Sequence, residues 1–217
     1  MGTVMARLRN RVQRGDAGMT LIEMLVAMGL FSILLAVFMS GIVTMTKDTA
    51  RVRASADSSD EIRRAYQLLD KQVHYASAGN RPGLGSGRQY IEFQTTAVAS
   101  GATASCTQWR ADPVTKQLSY RTWPDIASGA TATPWVVVAN RVNNNLTTNP
   151  VFTFLTVDEN FVKQRVTVFL DVQDINGKGA QLKSTFVAIN TTSTTLTTAA
   201  DAFGASKFPV CQQVGRP

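Results

Sequence analysis

The clearest pattern in the chain is a run of apolar residues near its start. From Met24 to Val43 the sequence reads MLVAMGLFSILLAVFMSGIV, twenty residues without a charge. A helix of that length rises about 30 Å, the hydrocarbon thickness of a bilayer. Between Lys47 and Ala78 there is no proline or glycine, and Ile62, Tyr66, Leu69, Val73 and Ala76 recur in steps of four and three. That spacing predicts one buried face of a helix. Asp57, Asp60, Glu61, Arg63, Arg64, Asp70 and Lys71 supply its solvated face, and Gly79-Asn80-Arg81-Pro82-Gly83 ends it. The two segments read as one long helix from Met19 to Ala78.

Beyond residue 88 the period changes to that of strands. Candidates are Gln89–Thr95, Cys106–Arg110, Gln117–Trp123, Trp135–Ala139, Val151–Val157, Val162–Val172 and Leu182–Asn190, rich in Val, Ile, Phe, Tyr, Trp and Thr. Asp112-Pro113 and Asn176-Gly177 supply hairpin turns. The expected fold class is α+β: a long N-terminal helix, half transmembrane and half amphipathic, packed on an antiparallel β-sheet. The Thr/Ala-rich stretch 191–205 reads as an exposed loop. Lys207–Pro217 then brings Cys211 back towards the sheet.

Charge sharpens this picture. The net charge is +7, of which residues 1–18 hold +3, four arginines (Arg7, Arg9, Arg11, Arg14) against Asp16, leaving +4 for the rest. Arginines just ahead of an apolar helix place the N-terminus in the cytoplasm and everything after Val43 outside. A secretory signal peptide needs a shorter core and a prompt small-residue cleavage site. Here the nearest A-x-A, Ala54-Ser55-Ala56, follows the charged stretch that starts at Lys47.

The junction Gly18-Met19-Thr20-Leu21-Ile22-Glu23-Met24-Leu25 is more specific. It resembles the class III signal of type IV pilins and type II secretion pseudopilins: glycine, a hydrophobic residue, then T-L-I-E ahead of an apolar run. In that family a membrane-embedded prepilin peptidase cuts after the glycine on the cytoplasmic side and N-methylates the new terminus. The resemblance implies cleavage between Gly18 and Met19. It implies three regions: a basic leader 1–18, a transmembrane and polymerisation helix 19–46, and an extracytoplasmic domain 47–217. Met19 stands where Phe is commoner, and the mid-helix proline of major pilins is absent, which points to a minor component. The closing hairpin and the length are similar to W-type minor pilins and J-type pseudopilins.

Glu23 has a physical reading of its own. A lone carboxylate beside twenty apolar residues either sits among headgroups at the interface or is paired. In the family reading it pairs with the new amine of Met19 on a staggered neighbour and sets assembly register. Leaving a buried charge unpartnered costs about 3–5 kcal/mol, a strong selector. Cys106 and Cys211 are the only cysteines. In the cytosol they would be free buried thiols; outside the membrane they form one disulfide.

Catalytic chemistry is not indicated. His74 is the only histidine and lies on the helix beside Val73, G-x-S-x-G and P-loop patterns are missing, and Cys106 has no base near it in sequence. Asp171–Gly177 is mis-spaced for a calcium loop and reads as a turn. No metal or cofactor is expected. The function implied is a structural subunit of a type IV pilus or type II secretion-like filament, at its priming end or tip. Its partners would be the prepilin peptidase, other pilins or pseudopilins and an inner-membrane assembly platform. Two alternatives stand beside it. One is a membrane-anchored binding module that does not polymerise. The other is a DNA-uptake component whose Arg141, Lys163, Arg165, Lys178 and Lys183 meet phosphates, although basic residues spread over strands are ordinarily a solvated face.

Overall fold

The computed structural model describes residues 19–96, 103–155, 157, 160–173, 177, 179–192, 197, 199–202 and 204–217. The chain divides into two units, Met1–Ala50 and Arg51–Pro217. One helix, α1 (Leu21–His74), contributes to both. In the first unit it is exposed throughout its described length.

In the second unit α1 buries Ser58, Ile62, Ala65, Tyr66, Leu69 and Val73, the stripe expected from the spacing. It ends at His74, four residues before the expected stop. The reason is a sheet contact that periodicity does not reveal. The Ser77 N–H donates to the Gln94 carbonyl at 2.8 Å, and Ala78–Gly79 already forms a strand.

Nine strands follow among the described residues, arranged as two antiparallel sheets where one was expected. The first contains β1 (Ala78–Gly79), β2 (Gly83–Gly85), β3 (Arg88–Thr95), β4 (Ser105–Asp112), β5 (Gln117–Pro124) and β6 (Val136–Ala139), with β1 and β2 both pairing β3. The second contains β7 (Phe152–Leu155), β8 (Gln164–Gln173) and β9 (Gly179–Ala188) in that order. Alternation sorts each strand into two faces. Ile91, Phe93, Trp109, Ala111 and Leu118 of the first sheet join Val166, Val168, Leu170, Val172 and Phe186 of the second around the α1 stripe. Polar contacts fix the helix to both. Trp109 Nε1 donates to Gln72 Oε1, and the Tyr66 hydroxyl lies 2.6 Å from the Val168 carbonyl and 2.7 Å from the Leu182 carbonyl. Burial raises the Tyr66 phenol pKa well above its ordinary value, with a backbone hydrogen bond opposing it weakly.

The other face of the first sheet is also covered, by the C-terminal segment. Cys106 of β4 and Cys211 are joined by a disulfide, and Trp123 packs on it. Beyond it, Gln108 Nε2 donates to the Gly215 carbonyl at 2.9 Å, Arg216 reaches Glu92, and the Tyr90 hydroxyl donates to the Pro217 main-chain oxygen. Gly83 of β2 makes room for this segment, since a Cβ there would stand 1.9 Å from the Arg216 guanidinium.

At the β4–β5 turn, Asp112 Oδ1 accepts from the N–H groups of Val114 and Thr115 at 2.9 and 3.2 Å. At the β8–β9 turn Gly177 has φ of 71°, the left-handed region a glycine favours; Asn176 lies outside the described residues. The stretch 191–205 is not simply exposed. Thr191 and Thr197 are buried because Gln164 needs them: its N–H donates to Thr191 Oγ1 at 2.9 Å and its Nε2 to Thr197 Oγ1 at 2.7 Å.

Candidate processing and assembly segment

Helix α1 begins with a side-chain cap. Thr20 precedes its first residue, and the Glu23 N–H donates to Thr20 Oγ1 at 3.3 Å and to the Thr20 carbonyl at 3.0 Å. A threonine followed three residues later by glutamate is the capping-box pattern, which satisfies an orphan donor of the first turn. That signal was legible in T-L-I-E, but the reading from sequence assigned Thr20 no separate role. Glu23 falls in the first turn, where the helix dipole favours a negative charge. Its side chain is exposed, and its carboxylate has no partner among the described residues. Met19 is exposed beside the cap. Gly18 and the leader lie outside the described residues.

From Leu21 onward the surface is apolar on every side. Leu30, Phe31, Ile33, Leu34, Val37 and Phe38 are each more than 60% exposed. The helix is long and apolar enough to cross a membrane, and its apolar window is exposed among the described residues. Its few hydroxyls are satisfied internally. Ser32 donates to the Met28 carbonyl at 2.8 Å, Ser40 to Val37 at 2.7 Å and Thr44 to Ser40 at 2.9 Å. A segment with these hydroxyls turned onto its own backbone can enter hydrocarbon without leaving their O–H donors stranded.

One comparison with known proteins bears on this segment: the prokaryotic N-terminal methylation motif matches residues 13–39. The chain carries a prepilin signal. It is the signal of type IV pilins and pseudopilins, and the matched span takes in Gly18, Met19, Thr20, Glu23 and most of the apolar run. No curated protein and no solved structure matches the chain. The prepilin signal implies processing by a prepilin peptidase and assembly with other pilins. Together with α1 it supports a membrane-anchored, single-pass protein. The long helix and the antiparallel sheets make a pilin-like α+β architecture.

The remaining residues singled out from sequence separate into unrelated settings. Arg141 lies 3.8 Å from Glu61 of α1. Lys163 Nζ donates to the Thr191 carbonyl at 2.6 Å, and Arg165 sits over the Phe161 ring at 3.7 Å. Lys183 lies on β9. Lys178 is outside the described residues. His74 packs edge-on against Tyr75. Sequence reasoning missed a buried polar group on the first sheet, where Glu92 accepts from Asn80, Gln108 and Arg216.

Proposed function

We propose that this chain is a minor pilin or pseudopilin, a structural subunit that leaves the membrane for a filament and serves at its priming end or tip. The observation that carries the reading is the exposed apolar helix whose first turn bears a carboxylate with no partner among the described residues, within the span of a prepilin signal. In this reading the peptidase cuts after Gly18 and removes the leader 1–18. The segment 19–46 anchors the subunit with its N-terminus in the cytoplasm, and 47–217 is the extracytoplasmic domain. The methylated amine of Met19 pairs with Glu23 of a staggered neighbour, which sets register because a lone charge among apolar side chains is so costly.

Intact mass of protein purified from membranes tests the first step. The expected chain starts at Met19 with one added methyl group, and a retained leader would refute processing. Glu23→Ala tests the second. Processing should persist while incorporation into sheared filaments is lost; unchanged incorporation would remove the register role and favour an anchor that does not polymerise.

A further inference from the structure

The outward face of the first sheet holds more positive charge than it neutralises. Arg88, Arg110 and Arg121 stand on it from β3, β4 and β5, and Arg216 reaches it from the C-terminal segment. Asp112 pairs with Arg88 at 2.7 Å and Glu92 with Arg216 at 2.6 Å. Among the described residues neither Arg110 nor Arg121 lies within ion-pair distance of a carboxylate, although the charge of Glu92 is felt by Arg121.

These two cations have been brought together. Their Cζ atoms lie 4.2 and 4.5 Å from the centroid of the same Trp135 ring. Arg121 donates only to neutral acceptors, Gln108 Oε1 at 2.9 Å and the Gly215 carbonyl at 3.1 Å. Burial lowers its pKa, and the charge of Arg110 acts in the same direction. Arg110 Nε is buried with no hydrogen-bond partner among the described residues. Ser119 faces Arg110 across the β4–β5 ladder, is fully buried, and its hydroxyl has no partner either. The Pro217 main-chain oxygen nearby is taken by the Tyr90 hydroxyl.

Stacking on Trp135 satisfies the faces of the guanidiniums but not their N–H edges. Buried donors without acceptors are costly and rare in folded proteins. A single kind of group answers the two unpartnered donors and the unneutralised charge of Arg121: an oxygen-bearing anion that takes guanidinium N–H and hydroxyl O–H donors together. We propose that Arg110, Arg121 and Ser119, gathered beside Trp135, form a binding site for an oxyanion, a phosphate or carboxylate group. Arg110 and Arg121 are each half-buried as residues, while the Arg110 Nε is itself buried.

Side-chain NMR of the full chain in detergent micelles, labelled with ¹⁵N-arginine, tests this. Sodium phosphate and sodium formate are titrated separately against sodium chloride at matched ionic strength. The expected result is a saturable shift of the Arg110 and Arg121 Nε–H signals with at least one oxyanion, while those of Arg88 and Arg216 stay in place. Saturation by phosphate alone assigns a phosphate-bearing ligand; saturation by formate assigns a carboxylate. Arg110→Lys keeps the charge, loses the planar fork and should weaken binding about tenfold. Ser119→Ala, which leaves the arginines intact, should weaken it about threefold. Shifts equal to those in chloride, no saturable shift at Arg110, or unchanged binding in Arg110→Lys would overturn the proposal.

Discussion

Arg216 grips Glu92, 124 residues earlier in the chain, with two prongs: Nε to Oε1 at 2.8 Å and Nη2 to Oε2 at 2.6 Å. Asn80 and Gln108 donate to the same carboxylate at 3.0 and 2.9 Å, so a charge buried in β3 is met by donors from three separate stretches of chain. Burial by itself lowers the pKa of Arg216. The hydrogen bonds and charge of Glu92 outweigh it, and the net direction is upward.

Removing one prong leaves the other charge stranded. Arg216→Ala should destabilise the second unit by about 3 kcal/mol, since breaking a buried pair costs more than never having made it. The double change Glu92→Gln with Arg216→Gln should cost clearly less than the single one. Urea unfolding of the full chain in detergent, followed by tryptophan fluorescence, measures both through the midpoint at constant slope.

The disulfide closes a loop with a sequence separation of 105 residues. Loop-closure entropy gives it at most about 4–5 kcal/mol. Cys106→Ala with Cys211→Ala should therefore lower stability by up to about 4 kcal/mol. Limited proteolysis should then cut first within 207–217, while fragments holding β3 to β5 persist.

Acid should act through Asp112. Burial alone would raise its pKa, but the Arg88 hydrogen bond, the Thr115 and Val114 N–H groups and the Arg88 charge together lower it. Its folded pKa thus lies below the unfolded value of about 4. The stability it contributes is present above about pH 4 and disappears as pH falls through the folded pKa. Asp112→Asn should flatten that acid limb and, at neutral pH, cost about 1–2 kcal/mol through the weakened Arg88 contact. Urea midpoints between pH 2 and pH 7 test the sign.

Gly29 and Gly41 are not required by this chain. A Cβ at either would meet nothing within 4 Å. Alanine favours a helix over glycine by about 0.5–1 kcal/mol, so Gly29→Ala and Gly41→Ala should leave the isolated subunit as stable as before or slightly more so. If the proposed filament packs helices closely at these points, incorporation should fall while membrane levels hold. Comparing sheared and membrane fractions by immunoblot reads the two apart.

The sequence made the long elements visible because their periods are strong. The stripe from Ile62 to Ala76 is buried as spaced, and each of the seven expected strands overlaps an observed one. The short strands Ala78–Gly79 and Gly83–Gly85 were not legible. Their glycines speak for a turn, and only pairing with β3 makes them extended. Alternation assigned faces but not partners, so the division into two sheets was hidden too. The polar residues of β3, β4 and β5, Glu92, Gln108 and Arg121 among them, had no role legible in sequence. Cys106 and Cys211 held the clue to it: a bridge from a strand to the tail obliges the tail to cross that face. The N-terminal signal, by contrast, depends on a few contiguous residues and no tertiary context, so it could be read directly.

The hydroxyls folded back onto the backbone of α1 have one more implication. Ser32, Ser40 and Thr44 ask for nothing from outside the helix, so moving it from acyl chains to a sheath of neighbouring side chains breaks no bond within it. Such a rod can change surroundings at little enthalpic cost. In the proposed assembly the decision about where it halts would fall to Glu23, the one described ionisable group between Met19 and Thr46.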